Sequence, residues 1–242
     1  MLGAPVSSRG VVLAASLSGQ VAAYRGVNGH LLWNQQVISP SLVLRISGQP
    51  AVSGSNFIVP FANGQVAAYR IDSGLPVWRK AIATPRGNTV VERMVDISTQ
   101  PVVVGNKIFV AGYQGYMVGL AASDGHLLWR HNFSTYSGLT AARGLLFAAD
   151  AAGNVLAVSQ SSGRVVWKQA LLAGRWAGVP AYCNGVVFVG DGYGYLYGLR
   201  ASDGALLYES KLGSSPIIAA PLVVGKNVFV ASTGGSLTRL SF

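Results

Sequence analysis

Eight carboxylates, three histidines and one cysteine are all that this 242-residue chain offers for acid–base, metal or thiol chemistry. General acid–base catalysis needs a donor and an acceptor facing one substrate, so Glu92 and Asp96, four residues apart in "VERMVD", are the first pair to weigh. No histidine or nucleophile accompanies them, and spacing alone does not aim two carboxylates at one atom. His30 and His126 follow glycines in "VNGH" and "SDGH", which is the place of a surface turn residue, and His131 lies just past Trp129. Asp72, Asp124 and Asp203 sit in turns of the same kind. Asp150 and Asp191 each stand three residues before a glycine, where a carboxylate caps loop amides. Cys183, in "AYCNGVVF", occupies a slot that other repeats give to Val and reads as a buried strand residue. Alone it forms no internal disulfide and no cysteine cluster. "GYGYLYG" contains G-x-G but continues a strand and opens no helix, so it is no dinucleotide site. No P-loop, G-x-S-x-G elbow or H-E-x-x-H occurs. These residues predict no catalytic centre, no metal site and no cofactor.

The turns that absorb these residues belong to a repeat. Gly19, Gly64, Gly115, Gly153 and Gly194 each open a segment with a second glycine ten residues on (Gly29, Gly74, Gly125, Gly163, Gly204). An aromatic follows fourteen residues on (Trp33, Trp78, Trp129, Trp167, Tyr208), and Gly235 opens a sixth copy that stops at Phe242. Spacings of 45, 51, 38, 41 and 41 residues suit one four-stranded propeller blade per copy. Before each first glycine runs a β-rich segment, such as "VVLAAS", "KIFVAGY" or "NVFVAS", expected as an inner strand. After it, partly alternating residues lead into a "SDG", "DSG", "VNG" or "SSG" turn that supplies the positive φ a hairpin needs. Trp33, Trp78, Trp129 and Trp167 are expected between sheets, each N–H on a backbone acceptor. The expected fold is all-β: a β-propeller of about six four-stranded blades, the last incomplete, in a single domain over 1–242. Blades are placed near 1–38, 39–83, 84–134, 135–172, 173–213 and 214–242. With the sixth copy short of its outer strand, an open or loosely closed arc is expected.

The charge is +10, with 18 Lys and Arg. A pI near 10.1 raises nucleic acid as a partner. The cations are scattered, however: Arg25, Arg70 and Arg200 hold equivalent slots, while Arg79, Lys80, Arg130 and Lys168 follow the tryptophans. That pattern paints blade edges and guards them against pairing, so no nucleic-acid partner is expected. Mean hydropathy is +0.41, yet the longest uncharged run, Ile46 to Tyr69, is broken by Gly48, Pro50, Gly54, Pro60 and Gly64 and makes no spanning helix. "MLGAPVSSRG" shows no signal peptide and no lipobox cysteine.

Two segments remain outside the repeat. "ISPSLVLRIS" (38–47) places Leu42 and Leu44 beside Arg45, and "ATPRGNTVVERMVDISTQ" (83–100) carries Arg86, Glu92, Arg93 and Asp96. Both join one blade to the next, so they are expected on one rim, where neighbouring loops make a single surface. Exposed leucines beside an arginine are an interface mixture, apolar anchors with a fork for a carboxylate. The alternative is that Leu42 and Leu44 pack beneath their own loop.

The repeat wording "LYGL.ASDG.LL" resembles that of pyrroloquinoline-quinone (PQQ) enzymes and their non-catalytic relatives. Within that superfamily "SPSLVLRISGQPAV" (39–52), "GNTVVERMVDISTQPVVVGNKIFVAGYQG" (87–115) and "GVVFVGDGYGYLYGL" (185–199) resemble the outer-membrane protein assembly lipoproteins of the BamB family. The resemblance implies an eight-bladed fold, of which this chain would supply the later six. PQQ enzymes carry an adjacent Cys–Cys pair and calcium-binding carboxylates, which a chain with one cysteine and few free acids does not match. A non-catalytic scaffold at the periplasmic face of the outer membrane is therefore implied, contacting the membrane only through its complex or a missing lipid anchor. Its partners would be the POTRA domains of BamA and nascent outer-membrane proteins. The implied contacts are Leu42, Leu44 and Arg45, then Asp96 of an Asp-x-Asp motif that here reads Asp96-Ile97-Ser98, with Glu92 and Arg93 beside it. Another propeller binding module with unrelated ligands is the alternative.

Overall fold

The computed structural model describes residues 4–16, 18–38, 48–83, 97 and 99–241, and they form six antiparallel sheets with no helix among them. The first sheet joins β1 (Val6–Ser8), β2 (Val11–Ala15), β3 (Gln20–Arg25) and β4 (Leu31–Gln36). The second joins β5 (Ala51–Ser53), β6 (Asn56–Pro60), β7 (Gln65–Arg70) and β8 (Pro76–Ala81), and the third β9 (Val102–Val104), β10 (Lys107–Val110), β11 (Gly115–Ala121) and β12 (Leu127–Phe133). The fourth holds β13 (Leu139–Ala142), β14 (Leu145–Ala149), β15 (Val155–Ser159) and β16 (Val165–Gln169), and the fifth β17 (Ala181–Cys183), β18 (Val186–Gly190), β19 (Tyr195–Arg200) and β20 (Leu206–Lys211). The sixth has three strands, β21 (Leu222–Val224), β22 (Asn227–Ala231) and β23 (Leu237–Ser241). Every sheet is a meander in chain order, the β-propeller blade that the repeat predicts. The chain falls into two compact units, Met1–Ser134 with the first three sheets and Thr135–Phe242 with the last three.

The β-rich segments before each first glycine become the second strand of each sheet, hydrogen-bonded on both sides. The third strands of the second to fifth sheets, expected to alternate in part, are instead buried almost throughout, as in β7 and β15, whereas β23 of the sixth sheet alternates between exposed and half-buried. The reason is that both faces are dry. In the second sheet Phe57, Val59, Ala67 and Tyr69 join a core with the first sheet, whereas Ile58, Val66 and Ala68 join a core with the third. Alternation survives as a choice between two apolar cores, so hydropathy along the strand stays flat. Corresponding cores join the fourth sheet to the fifth and the fifth to the sixth. A register shift recurs where the third strand meets the fourth, between Ala23/Tyr24, Ala68/Tyr69, Gly119/Leu120, Ala157/Val158 and Gly198/Leu199. This bulge leaves two successive residues exposed, such as Leu31 and Leu32, before the buried aromatic.

The tryptophans tie one sheet to the next. Trp33 Nε1 donates to the Ile71 carbonyl at 3.0 Å, Trp78 Nε1 to Ala122 at 3.1 Å and Trp167 Nε1 to Ala201 at 2.9 Å. In each case the ring covers the second glycine of the next repeat. A Cβ on Gly74 would lie 2.4 Å from the Trp33 ring, besides being strained at φ +69°. Gln35 and Gln169, two residues past Trp33 and Trp167, donate to the Gly74 and Gly204 carbonyls at 3.2 Å. The repeat's glycine and tryptophan are thus two halves of one inter-sheet contact.

Candidate protein-interaction site

The six residues singled out for partner binding, Leu42, Leu44, Arg45, Glu92, Arg93 and Asp96, lie outside the described residues. The residues that frame their two segments are well defined. Ile38, 89% exposed, has its carbonyl held by Asn63 Nδ2 at 3.0 Å, and Val37 N–H donates to Gly19 O at 2.9 Å. On the far side of the first segment, a Cβ on Gly48 would lie 2.6 Å from Pro60 Cγ and 2.9 Å from the carbonyl oxygens of both Ile97 and Thr99. Ile97 is buried in the core shared by the second and third sheets. Thr99 Oγ1 donates to the Ala111 carbonyl at 2.6 Å. The residues that close the two segments therefore meet within the first unit.

A second site escaped the sequence reading. Between β16 and β17 the chain carries Arg175 and Trp176, and Trp176 is the one tryptophan of five outside the repeat slot. Arg175 Nε donates to Asp191 Oδ2 at 2.7 Å, and that carboxylate is fully buried. Its Oδ1 accepts the Tyr193 and Tyr195 amides, each at 2.9 Å, and the Tyr197 hydroxyl donates to Oδ2 at 3.3 Å. The Arg175 guanidinium lies over the rings of Tyr193, Tyr195 and Tyr197 at 5.1, 5.0 and 5.9 Å. Its bond to Asp191 raises its pKa. Burial, then the Asp191 charge, pushes the Tyr197 hydroxyl up to about 12, against the opposing pull of Arg175. On this base Trp176 stacks on Tyr193, centroids 6.4 Å apart and planes 7° apart, with the rings 73% and 51% exposed. Trp176 holds φ +55°, a costly conformation for a bulky side chain that keeps an aromatic plate in water. Trp, Tyr and Arg on a rigid base are the composition of an interface hot spot. A tryptophan off the repeat slot was the signal that marked it.

The remaining polar residues take structural places. Asp150 Oδ1 accepts the Ala152 and Asn154 amides at 3.0 and 2.8 Å, as the shared slot predicts. Asp124 and Asp203 accept the amides of His126 and Ala205 two residues on, at 2.9 and 3.0 Å, and those bonds are the main cause lowering their pKa values. His30 and His126 are exposed in turns, His131 is half-buried in β12, and Cys183 is buried in β17.

A family model described as outer membrane protein assembly factor BamB matches residues 1–169 and 151–242. The chain belongs to the BamB family. It is 35% identical to BamB of Legionella pneumophila over 203 residues, 84% of this chain and 53% of that protein. With BamB of Bordetella pertussis it shares 33% identity over 237 residues, 98% of this chain and 61% of the relative. The crystal structure of BamB from Moraxella catarrhalis superposes with a TM-score of 0.91 at 21% identity, over 98% of this chain and 71% of that one. The chain thus spans between half and two thirds of the length of the Legionella and Bordetella relatives.

Proposed function

We propose that this chain is a non-catalytic scaffold for outer-membrane protein assembly, working on the periplasmic side of that membrane and docking the POTRA domains of BamA. Membership of the BamB family supports the assembly role. The observation that carries the docking surface is the meeting of Gly48 with Ile97 and Thr99, which brings the ends of the segments bearing Leu42, Leu44, Arg45 and Asp96 to one place. Apolar anchors beside an arginine in one segment, and an acid in the other, suit a surface with hydrophobic and charged groups of both signs. Where this chain has Ser98 in place of the second acid, either one ion pair is missing or Glu92 substitutes for it, with Arg93 beside it in sequence. Nascent outer-membrane proteins are the clients this scaffold would serve.

Titration calorimetry against BamA POTRA domains tests this directly. Arg45→Glu should weaken binding by about 2 kcal/mol or more, through repulsion and an unpaired partner group, with circular dichroism unchanged. Unaltered affinity in a folded Arg45→Glu protein would remove these segments from the interface. The exposed Trp176–Tyr193 plate favours a second reading, in which another protein is bound through the fifth sheet. Retained POTRA binding by Trp176→Ala, with loss by Arg45→Glu, separates the two.

A further inference from the structure

A pocket of about 270 Å³ opens within the first unit where β8 faces β11 and β12. Its floor is apolar, made by Ile82, Val118 and Leu120, and its rim carries Lys80, His126 and Arg130. The repeat explains why space exists here. Two residues past Trp33 and Trp167 stands a glutamine whose amide reaches the next blade's glycine carbonyl, but two residues past Trp78 stands Lys80. A lysine ammonium donates only, carries charge and stays hydrated. Its stem lies against Gly125, where a built Cβ would sit 3.0 Å from Lys80 Cγ. Arg130 lies over the Tyr116 ring at 5.2 Å, which orients its charge along the pocket wall. Among the described residues neither Lys80 nor Arg130 makes an ion pair, and no carboxylate lines the cavity. Asp124, the acid nearest in sequence, is engaged with the His126 amide.

We propose that this pocket binds an acidic side chain flanked by an apolar one, presented by a polypeptide partner. Two cations that make no ion pair among the described residues call for an anion. The volume lies below the roughly 300–1,000 Å³ of cofactor and drug-sized sites, so it takes one or two side chains. The apolar floor gives a bare phosphate nothing to bury, whereas a leucine or phenylalanine beside a glutamate fills it and sets the carboxylate against Lys80 and Arg130. Leu42, Leu44, Arg45 and Asp96 have no part in this proposal, and the Lys80→Gln variant leaves all four unchanged, so its failure would leave the POTRA proposal standing.

The test uses the whole chain and the capped peptide Ac-Leu-Glu-Phe-NH2, followed by NMR shifts of the Ile82, Val118 and Leu120 methyl groups. Saturable shifts at these methyls are expected. Affinity should fall about tenfold when the peptide's Glu becomes Gln, and equally when Lys80→Gln places here the glutamine that stands two residues past Trp33 and Trp167. Lys80→Gln should fold normally, since Gln35 and Gln169 occupy the same slot. Inorganic phosphate should leave the methyls unmoved. Equal binding of the Glu and Gln peptides, phosphate binding as tight as the peptide's, or no shift at millimolar peptide would each overturn the proposal.

Discussion

Gly48 and Thr99 approach so closely that one added methyl group would not fit: a Cβ on Gly48 would stand 2.9 Å from the Thr99 carbonyl oxygen. They come from inter-blade segments and stand 51 residues apart in sequence, and Thr99 is pinned by its hydroxyl to the Ala111 carbonyl. Gly48→Ala must push backbone apart here, at a cost of roughly 1–3 kcal/mol. Gly213→Ala meets nothing within 4 Å and has no positive φ, so it should be close to neutral. Denaturant melts compare the two. POTRA affinity of the folded Gly48→Ala protein should drop several-fold, and equal stability of the two variants would mean that the contact is not tight.

The two tryptophans of one unit should behave oppositely. Trp167 is 8% exposed, donates to Ala201 and covers Gly204, so Trp167→Ala should cost about 3–5 kcal/mol. Trp176 is mostly in water at positive φ. Trp176→Gly gives up a ring stack but relieves the backbone, and its melting point should stay within a few degrees of the parent. A comparable loss in both variants would show that Trp176 belongs to the core.

The contrast between these tryptophans also shows what was legible in the sequence. A large ring at a fixed offset must fill the same space in every copy, so blade number, turn positions and buried tryptophans could be read from the recurrence of residues such as Gly19, Gly74 and Trp33. The Arg175 site could not, because it depends on a fully buried carboxylate pairing across sixteen residues with an arginine in a linker. Asp191 shares its slot with Asp150, and local spacing cannot tell a cap with a loose, exposed cation nearby from a cap that also anchors a buried ion pair. Likewise Lys80 reads in sequence as one more edge cation, and its distinction lies in the structure, where Gln35 and Gln169 of equivalent slots bridge adjacent blades.

That distinction between the two aspartates is measurable. Asp150 is 19% exposed and its nearest cation, Lys168, is 3.9 Å away, so Asp150→Ala should cost about 1 kcal/mol, the worth of a cap. Asp191→Ala removes two amide caps, the Tyr197 hydroxyl contact and the partner of Arg175, and should cost roughly 3–5 kcal/mol. Trp176 should also lose its fixed stack on Tyr193, which fluorescence anisotropy reads. Equal melts for both variants would reduce Asp191 to an ordinary turn residue.

Alkaline unfolding isolates Tyr197. Its folded pKa of about 12 stands above the ordinary phenol value of 10.0 because burial and the Asp191 charge disfavour the phenolate. A raised pKa means that the unfolded chain releases the proton first, so the contribution is intact below pH 10 and is lost as pH rises through about 12. Over that window the loss is roughly 2–3 kcal/mol. Other tyrosines and lysines titrate in the same range, so the informative quantity is the difference between parent and Tyr197→Phe. The variant gives up one hydroxyl contact at neutral pH, about 1 kcal/mol, but its stability should fall less steeply between pH 10 and 12, and the gap between the two proteins should close. Melts at stepped pH, with tyrosinate absorbance to follow ionisation, supply both curves. Parallel curves across the window would mean that Tyr197 ionises as readily in the folded protein as in the unfolded chain, and that the Arg175–Asp191 pair is more open to water than its geometry implies.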